Sequence, residues 1–308
     1  MSDVDPRLVL ARVAAAVPAA VRKRIVIVGS LAAGYRLPGT DRTLTVRTKD
    51  VDCALFPRVA AVQAGKDVAE ELLAKGWRHR PDREHGQPGT AATPVSSLPV
   101  VRLFPPKSDD WFIELLTVPA SEKETGKRWT RLQLSGGHYG LPSFEFMSLA
   151  AFRPTKTEFG IYCARPEMMA LALLLEHPRI KPETMSGLIE GRKIKRSDKD
   201  LGRVLAIARL SSEEAIVSWP AAWEKGLRVC FPSRWRRLAR SVGSGLRRLL
   251  DSPPDLEQAH HTCIYGLLRS RPATVEELEI AGRRLLQDAV EPVERLGRKR
   301  PPRRRAAP

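Results

Sequence analysis

Two aspartates one residue apart stand at the head of an apolar run. In residues 25–56, IVIVGSLAAGYRLPGTDRTLTVRTKDVDCALF, a first β-branched run stops at Gly29-Ser30, and a second opens on Asp50 and Asp52. Side chains alternate faces along a strand, so Asp50 and Asp52 point one way while Val51 and Cys53 point into a core. Two carboxylates that close stay ionised only if cations offset their repulsion, and a divalent metal does so by bridging the oxygens. Glu114 is the odd polar residue of a third apolar run, WFIELLTV, and completes a set of three acids. Three carboxylates, two divalent ions and a Gly-Ser turn offering amides at a helix start are the parts of an in-line phosphoryl transfer. Magnesium, or manganese in its place, suits such a site because it keeps waters and needs few carboxylates. Without function, Asp-x-Asp is a polar pair at a strand edge and Glu114 a strand residue facing solvent.

The elements that must hold these residues follow from periodicity. A first helix is expected over residues 5–22, with Asp5 capping and Pro6 in its first turn and a break near Pro18. RIVIVG reads as a buried strand ended by glycine, SLAAGYRL as a helix with Ser30 near its cap, and VDCALF as a second strand. The stretch RVAAVQAGKDVAEELLAKGW is helical, with Val62, Ala69, Leu72 and Leu73 on one face and Gly76 as its stop. Residues 81–95 are a loop by composition, and SSLPVVRLF and DWFIELLTV are strands. FEFMSLAAF and TEFGIYCA are expected to pair as strands around Arg153-Pro154-Thr155.

From Pro166 the pattern turns helical: PEMMALALLLEHP, SDKDLGRVLAIARL, SSEEAIVSWPAAWEKG, PSRWRRLARSVGSGLRRLL and TVEELEIAGRRLLQDAV, the last with a Thr274–Glu277 capping box. The expected architecture is α/β (α+β), a mixed sheet with flanking helices in residues 1–165, then a helical domain over 166–290 and a disordered basic tail over 291–308.

The chain of 308 residues carries 52 Lys plus Arg against 35 Asp plus Glu, a formal charge of +17 that favours polyanionic partners. No acid falls between Arg228 and Asp251, so the basic helix 234–250, with Leu238, Val242, Leu246 and Leu249 as its apolar stripe, and the arm 298–305 are expected to meet nucleic acid. Neither interleaves aromatics as a base-stacking platform does, so contact would be to backbone phosphate. Cys53, Cys163, Cys230 and Cys263 are far apart and in apolar surroundings, as reduced core residues are. His79, Asp82 and His85 lack a fixed ligand spacing and read as a solvated turn, and His138, His260 and His261 are read the same way. With no secretory signal and no apolar run near the roughly eighteen residues of a membrane span, a cytoplasmic, non-membrane protein is expected.

The order VGS then helix, DVD, and IEL resembles the nucleotidyltransferase superfamily. TKDVD, ARPEMMALALLLEHPRI and KIKRSDKDLGRV are similar to its bacterial branch that includes the AbiEii-like toxins of abortive-infection and toxin–antitoxin systems. The resemblance covers about residues 20–210, and the remainder matches nothing in it. It implies a nucleotidyltransferase-type sheet and transfer of NMP from an NTP to an acceptor hydroxyl, with RNA, such as a transfer RNA 3′ end, favoured by the charge and an antitoxin protein as a further partner. Gly29 and Ser30 would hold phosphates, Asp50 and Asp52 the metals, and Glu114 would be the third acid. Lys199 would contact the nucleotide phosphates and Asp200 orient it. Arg47 or Lys49, in an inserted segment that could add a strand, would lie near the phosphates. Where relatives carry a lysine in the PEMM helix this chain has Leu173, and Lys193, Lys195 or Arg179 are the candidates to replace it. Two other readings stay open: a transferase of a small molecule or protein hydroxyl, and a non-catalytic nucleic-acid-binding protein on the same scaffold.

Overall fold

A computed structural model describes residues 2–37, 45–80, 86–176, 185 and 187–299. Asp82, His85 and Arg179 lie outside the described residues, as does the basic arm from residue 300 onward.

The N-terminal half is built on a mixed eight-stranded sheet. In chain order its strands are β2 (Ile25–Ile27), β4 (Asp50–Leu55), β5 (Arg102–Leu103), β6 (Phe112–Thr117), β7 (Lys127–Leu134), β8 (Gly137–Phe144), β9 (Thr155–Lys156) and β10 (Tyr162–Cys163). Across the sheet the order is β7-β8-β6-β4-β2-β10-β9, with β5 on β6. Strand β4 runs parallel to β6 and antiparallel to β2. A separate ribbon pairs β1 (Ser2–Val4) with β3 (Val46–Thr48), so the inserted segment does add a strand.

The register explains where the acids stand. Strand β2 ends at Ile27 opposite Cys53, so Asp50 and Asp52 project beyond its end, where the chain turns into α2 (Gly29–Arg36). Helix α2 begins one residue earlier than expected. Val28 occupies its cap position and Ser30 lies inside the first turn, because Gly29, at φ +74°, makes the turn that a side chain would strain.

Other elements depart from the periodicity reading. Helix α1 spans Pro6–Ala16, capped by Asp5, and stops well before residue 22. Helix α3 (Arg58–Ala74) buries Ala61, Ala64, Gly65, Val68, Ala69 and Leu72, a stripe at three- and four-residue spacing that leaves Val62 exposed. Its small residues let the helix lie close to the sheet: a Cβ on Gly65 would come within 3.0 Å of Leu55. The segment FEFMSLAAF is not a strand. Phe146, Leu149 and Ala150 recur at helical spacing, Met147–Ala150 forms the short helix α4, and the hairpin that does form joins β9 and β10.

The C-terminal half comprises α5 (Pro166–Glu176), α6 (Arg196–Leu210), α7 (Glu213–Cys230), α8 (Trp235–Ser241), α9 (Ser244–Leu250), α10 (Pro253–Ile264), α11 (Val275–Leu285) and α12 (Glu291–Arg298). The basic stretch is two helices instead of one. It breaks at Gly243, whose amide donates to Glu294 Oε1 at 3.1 Å and where a Cβ would collide with Val290. The expected tail from residue 291 is likewise helical through Arg298, with Val293 and Glu294 buried. The capping box of α11 is formed as expected. Helix α6 lies at the centre, packed against α5, α9, α10 and α11. Gly202 admits α10 so closely that a Cβ there would meet the Ala259 carbonyl at 2.7 Å. One apolar core runs through both halves, from Val4 to Val293. All four cysteines are free thiols, and no helix among the described residues is long and apolar enough to cross a membrane.

Candidate active site

Where the sheet meets the helices lies a cavity of about 300 Å³. Seven of the sequence-predicted residues line it: Gly29, Ser30, Asp50, Asp52, Glu114, Lys199 and Asp200. Arg47 lies in a smaller adjoining cavity, its guanidinium 3.0 Å from Glu190. Lys49 is exposed and lines neither.

Strand pairing brings the acids together. Asp52 and Glu114 are register partners on β4 and β6, and Asp50 is two residues before Asp52 on the same side. Asp50 Oδ1 accepts a hydrogen bond from Thr48 Oγ1 at 2.7 Å. Glu114 Oε2 accepts from Arg102 Nε at 2.6 Å, an ion pair across the β5–β6 ladder. Asp52 instead turns its carboxylate to the start of α2: its Oδ2 lies 2.7 Å from where a Cβ on Gly29 would stand. Glycine is thus required at 29 twice over, for the turn and for the acid's room.

Asp50 and Asp52 sit in opposed electrical environments. Burial pushes the Asp52 carboxyl well above the usual range, and the charges of Asp50 and Glu114 add to that, against the pull of Arg203 and Lys199. Burial also acts to raise Asp50, but Arg203, the Thr48 hydrogen bond and Lys199 together outweigh it and hold that carboxyl below its ordinary value. The site therefore carries one acid that stays ionised and a neighbour whose charge lacks a sufficient partner.

The facing wall comes from α6. Arg196, Lys199, Asp200, Arg203 and Ile207 recur at helical spacing along its cavity side. Lys199 is held below its ordinary value first by the Arg203 charge and then by burial, against Asp200, Asp50 and Asp52. Asp198 points the other way, toward the Lys195–Asp255 pair, and burial and Asp255 raise it to about 6. The remaining wall is apolar: Met169, Ala172 and Leu173 on α5, Met147 and Ala150 on α4, with Phe144 and Phe146. Leu173 thus faces the cavity. Lys195 is committed to Asp255, and Lys193 is exposed and outside the lining, so neither replaces a cation there.

Periodicity alone did not single out Arg196, Arg203, Arg102 or Glu176. Glu176 ends α5 inside the cavity lining, where burial and the Asp200 charge raise it to about 7 against Arg196. Arg196 and Arg203 stand three residues before and four after Lys199, a spacing that would have placed them on its face.

A divalent ion fits the chemistry of this donor set, which is all hard carboxylate oxygen, and Asp52 is the group it would relieve most. As the side chains stand, Glu114 is turned to Arg102 and Asp50 to Thr48. Among the described residues no three or more His, Cys, Asp or Glu are gathered to hold a metal ion.

No family model, no curated protein and no solved structure matches the chain.

Proposed function

We propose that the chain is a nucleotidyltransferase that moves a nucleoside monophosphate from a triphosphate to an acceptor hydroxyl, on a sheet of the nucleotidyltransferase type. One observation carries the reading: Gly29-Ser30, Asp50, Asp52 and Glu114 from three separated segments line the same cavity as Lys199 and Arg203. In this reaction the acceptor oxygen bonds to the α-phosphorus, the bond from that phosphorus to the β-phosphate oxygen breaks, and pyrophosphate leaves with the electron pair while the hydroxyl gives up its proton. Asp50, Asp52 and Glu114 would hold magnesium or manganese, which when bound neutralises phosphate charge and lowers the pKa of a bound hydroxyl. Asp50, ionised at neutral pH, is the chain's own acceptor for that proton or for a cation. Ser30 and the first amides of α2 face the phosphates, and Lys199 and Arg203 balance their charge from the opposite wall. The apolar wall of α4 and α5 gives a base or acceptor a surface free of hydrogen-bonding demands.

The proposed acceptor is RNA, in keeping with the toxin-like branch that the sequence resembles. Arg237, Arg240 and Arg248 are exposed on α8 and α9 and make no ion pair among the described residues. Such arginines suit a phosphate backbone. The test is incubation of the full chain with each labelled nucleoside triphosphate, magnesium or manganese, and total RNA. Label transfer abolished by Asp52→Asn is expected, and absence of transfer with every nucleotide overturns the reading. A second reading, a nucleic-acid-binding protein without catalysis, is favoured by two observations: Leu173 faces the cavity and Glu114 is already paired with Arg102. It requires RNA binding that is indifferent to both Asp52→Asn and magnesium.

A further inference from the structure

The adjoining cavity, about 50 Å³, shares Ser30, Lys199, Arg203 and Leu267 with the main one. Arg47 enters it from β3, and the end of α10 and the residues after it, Thr262 to Gly266, close it. Three cations thus line a space in which no acid takes part. Their own acids lie outside it or at the limit of contact: Arg47 meets Glu190 at 3.0 Å, and Arg203 Nη1 is 4.0 Å from Asp200 Oδ1. Lys199 makes no ion pair among the described residues, and the neighbouring guanidinium of Arg203 works against its charge. Cations held together and half-buried, with the hydroxyl of Ser30 beside them, are complementary to a tetrahedral oxyanion. Arg203 belongs to both cavities, so it is placed to touch two successive phosphates of one chain.

We propose that this side cavity seats the terminal phosphate of a polyphosphate chain that begins in the main cavity, and that Arg203 makes the protein select triphosphates over diphosphates. Anion binding by the side cavity stands on its own geometry; that the anion is a nucleotide's tail rests on the transferase reading above. A diphosphate lying over Gly29-Ser30 leaves the side cavity unfilled, whereas a triphosphate reaches Arg47 and Arg203 together.

The experiment is calorimetric titration of the full chain, without metal and at physiological salt, with inorganic tripolyphosphate, pyrophosphate and orthophosphate. The wild type is expected to bind tripolyphosphate tightest of the three. Arg203→Gln is expected to weaken it tenfold or more, the ordinary effect of losing charge-assisted hydrogen bonds, while Lys66→Gln on the exposed face of α3, outside both cavities, leaves it unchanged. Arg47→Gln, from the opposite wall, should cost threefold or more and serves where Arg203→Gln does not fold. Wild-type affinity in both folded variants, or no saturable tripolyphosphate binding by the wild type, overturns the proposal. Expected tripolyphosphate behaviour without label transfer to RNA sinks the transferase reading and leaves the anion site standing. Label transfer by Arg203→Gln with an unchanged KM for the triphosphate does the reverse.

Discussion

Two cationic stretches, residues 196–203 with two arginines and a lysine among two aspartates and residues 234–248 with six arginines and no acid, are put to opposite uses. On α6 the cations face a cavity whose other side holds Asp50, Asp52 and Glu114, so their charge is balanced across open space. On α8 and α9 the balancing acids are in contact and buried. Arg234 meets Glu145, which is fully buried, at 2.6 Å, and Arg247 makes two 2.8 Å hydrogen bonds to Glu294. Arg228 and Arg236 also lie over the ring of Trp235, at 3.9 and 4.6 Å from its centroid. Only Arg237, Arg240 and Arg248 of the second stretch are turned fully outward. Formal charge therefore says little about binding; the location of the compensating carboxylate decides whether a cation holds the fold or waits for a ligand.

The sharpest way to break this contrast is to remove the acid with the least compensation. Asp52→Asn is expected to lower nucleotidyl transfer by at least roughly a thousandfold, about 4 kcal/mol of barrier, with the fold retained, as measured by single-turnover label transfer and thermal unfolding. Arg234→Ala should do the converse. Leaving Glu145 buried without its cation costs roughly 3 kcal/mol of stability in urea unfolding.

Glu176 supplies a pH test on the cavity side. Its folded value of about 7 lies above the ordinary 4.5, so the folded state keeps a proton that the unfolded chain has lost between those two pH values. Stability is then full below about 4.5, declines as pH rises toward 7 and levels off above it. Glu176→Gln should flatten that decline and leave the variant roughly 2 kcal/mol more stable than wild type at pH 8, read from unfolding midpoints across pH. Asp198, raised to about 6, and Asp52, raised well above its ordinary value, leave a slope of the same sign in the variant. The smallest effect belongs to the outward arginines. Replacing Arg237, Arg240 and Arg248 together by Gln should shift stability by no more than about 0.5 kcal/mol. It should also lower the salt slope of RNA binding by about two, each single-strand phosphate contact contributing about 0.7.

The sequence made the acids legible because a strand's two-residue period is rigid: Asp50 and Asp52 had to share a face, and an acid inside WFIELLTV had to stand apart from its apolar neighbours. That Asp52 and Glu114 would be register partners was not legible, since pairing between distant strands is set by tertiary packing. Nor was the Arg102–Glu114 pair, which needs the short strand β5 to lie antiparallel on β6. The hairpin β7–β8 turns at Ser135-Gly136, yet its strands alternate weakly because Arg128 and Arg131 interrupt them. At α8–α9 an uninterrupted helical stripe hid the break, because the cause is Glu294, fifty-one residues away.

The closure of the smaller cavity by Thr262–Gly266 has a practical corollary for anyone seeking a minimal version of this protein. A fragment ending after Leu210 would keep every acid and every cation of α6, along with Arg47, but would lack the lip that shields them from bulk water. Such a truncation would also bare the faces of α6 that α9, α10 and α11 now cover and remove part of the shared core, so it is expected to unfold instead of persisting as an open site.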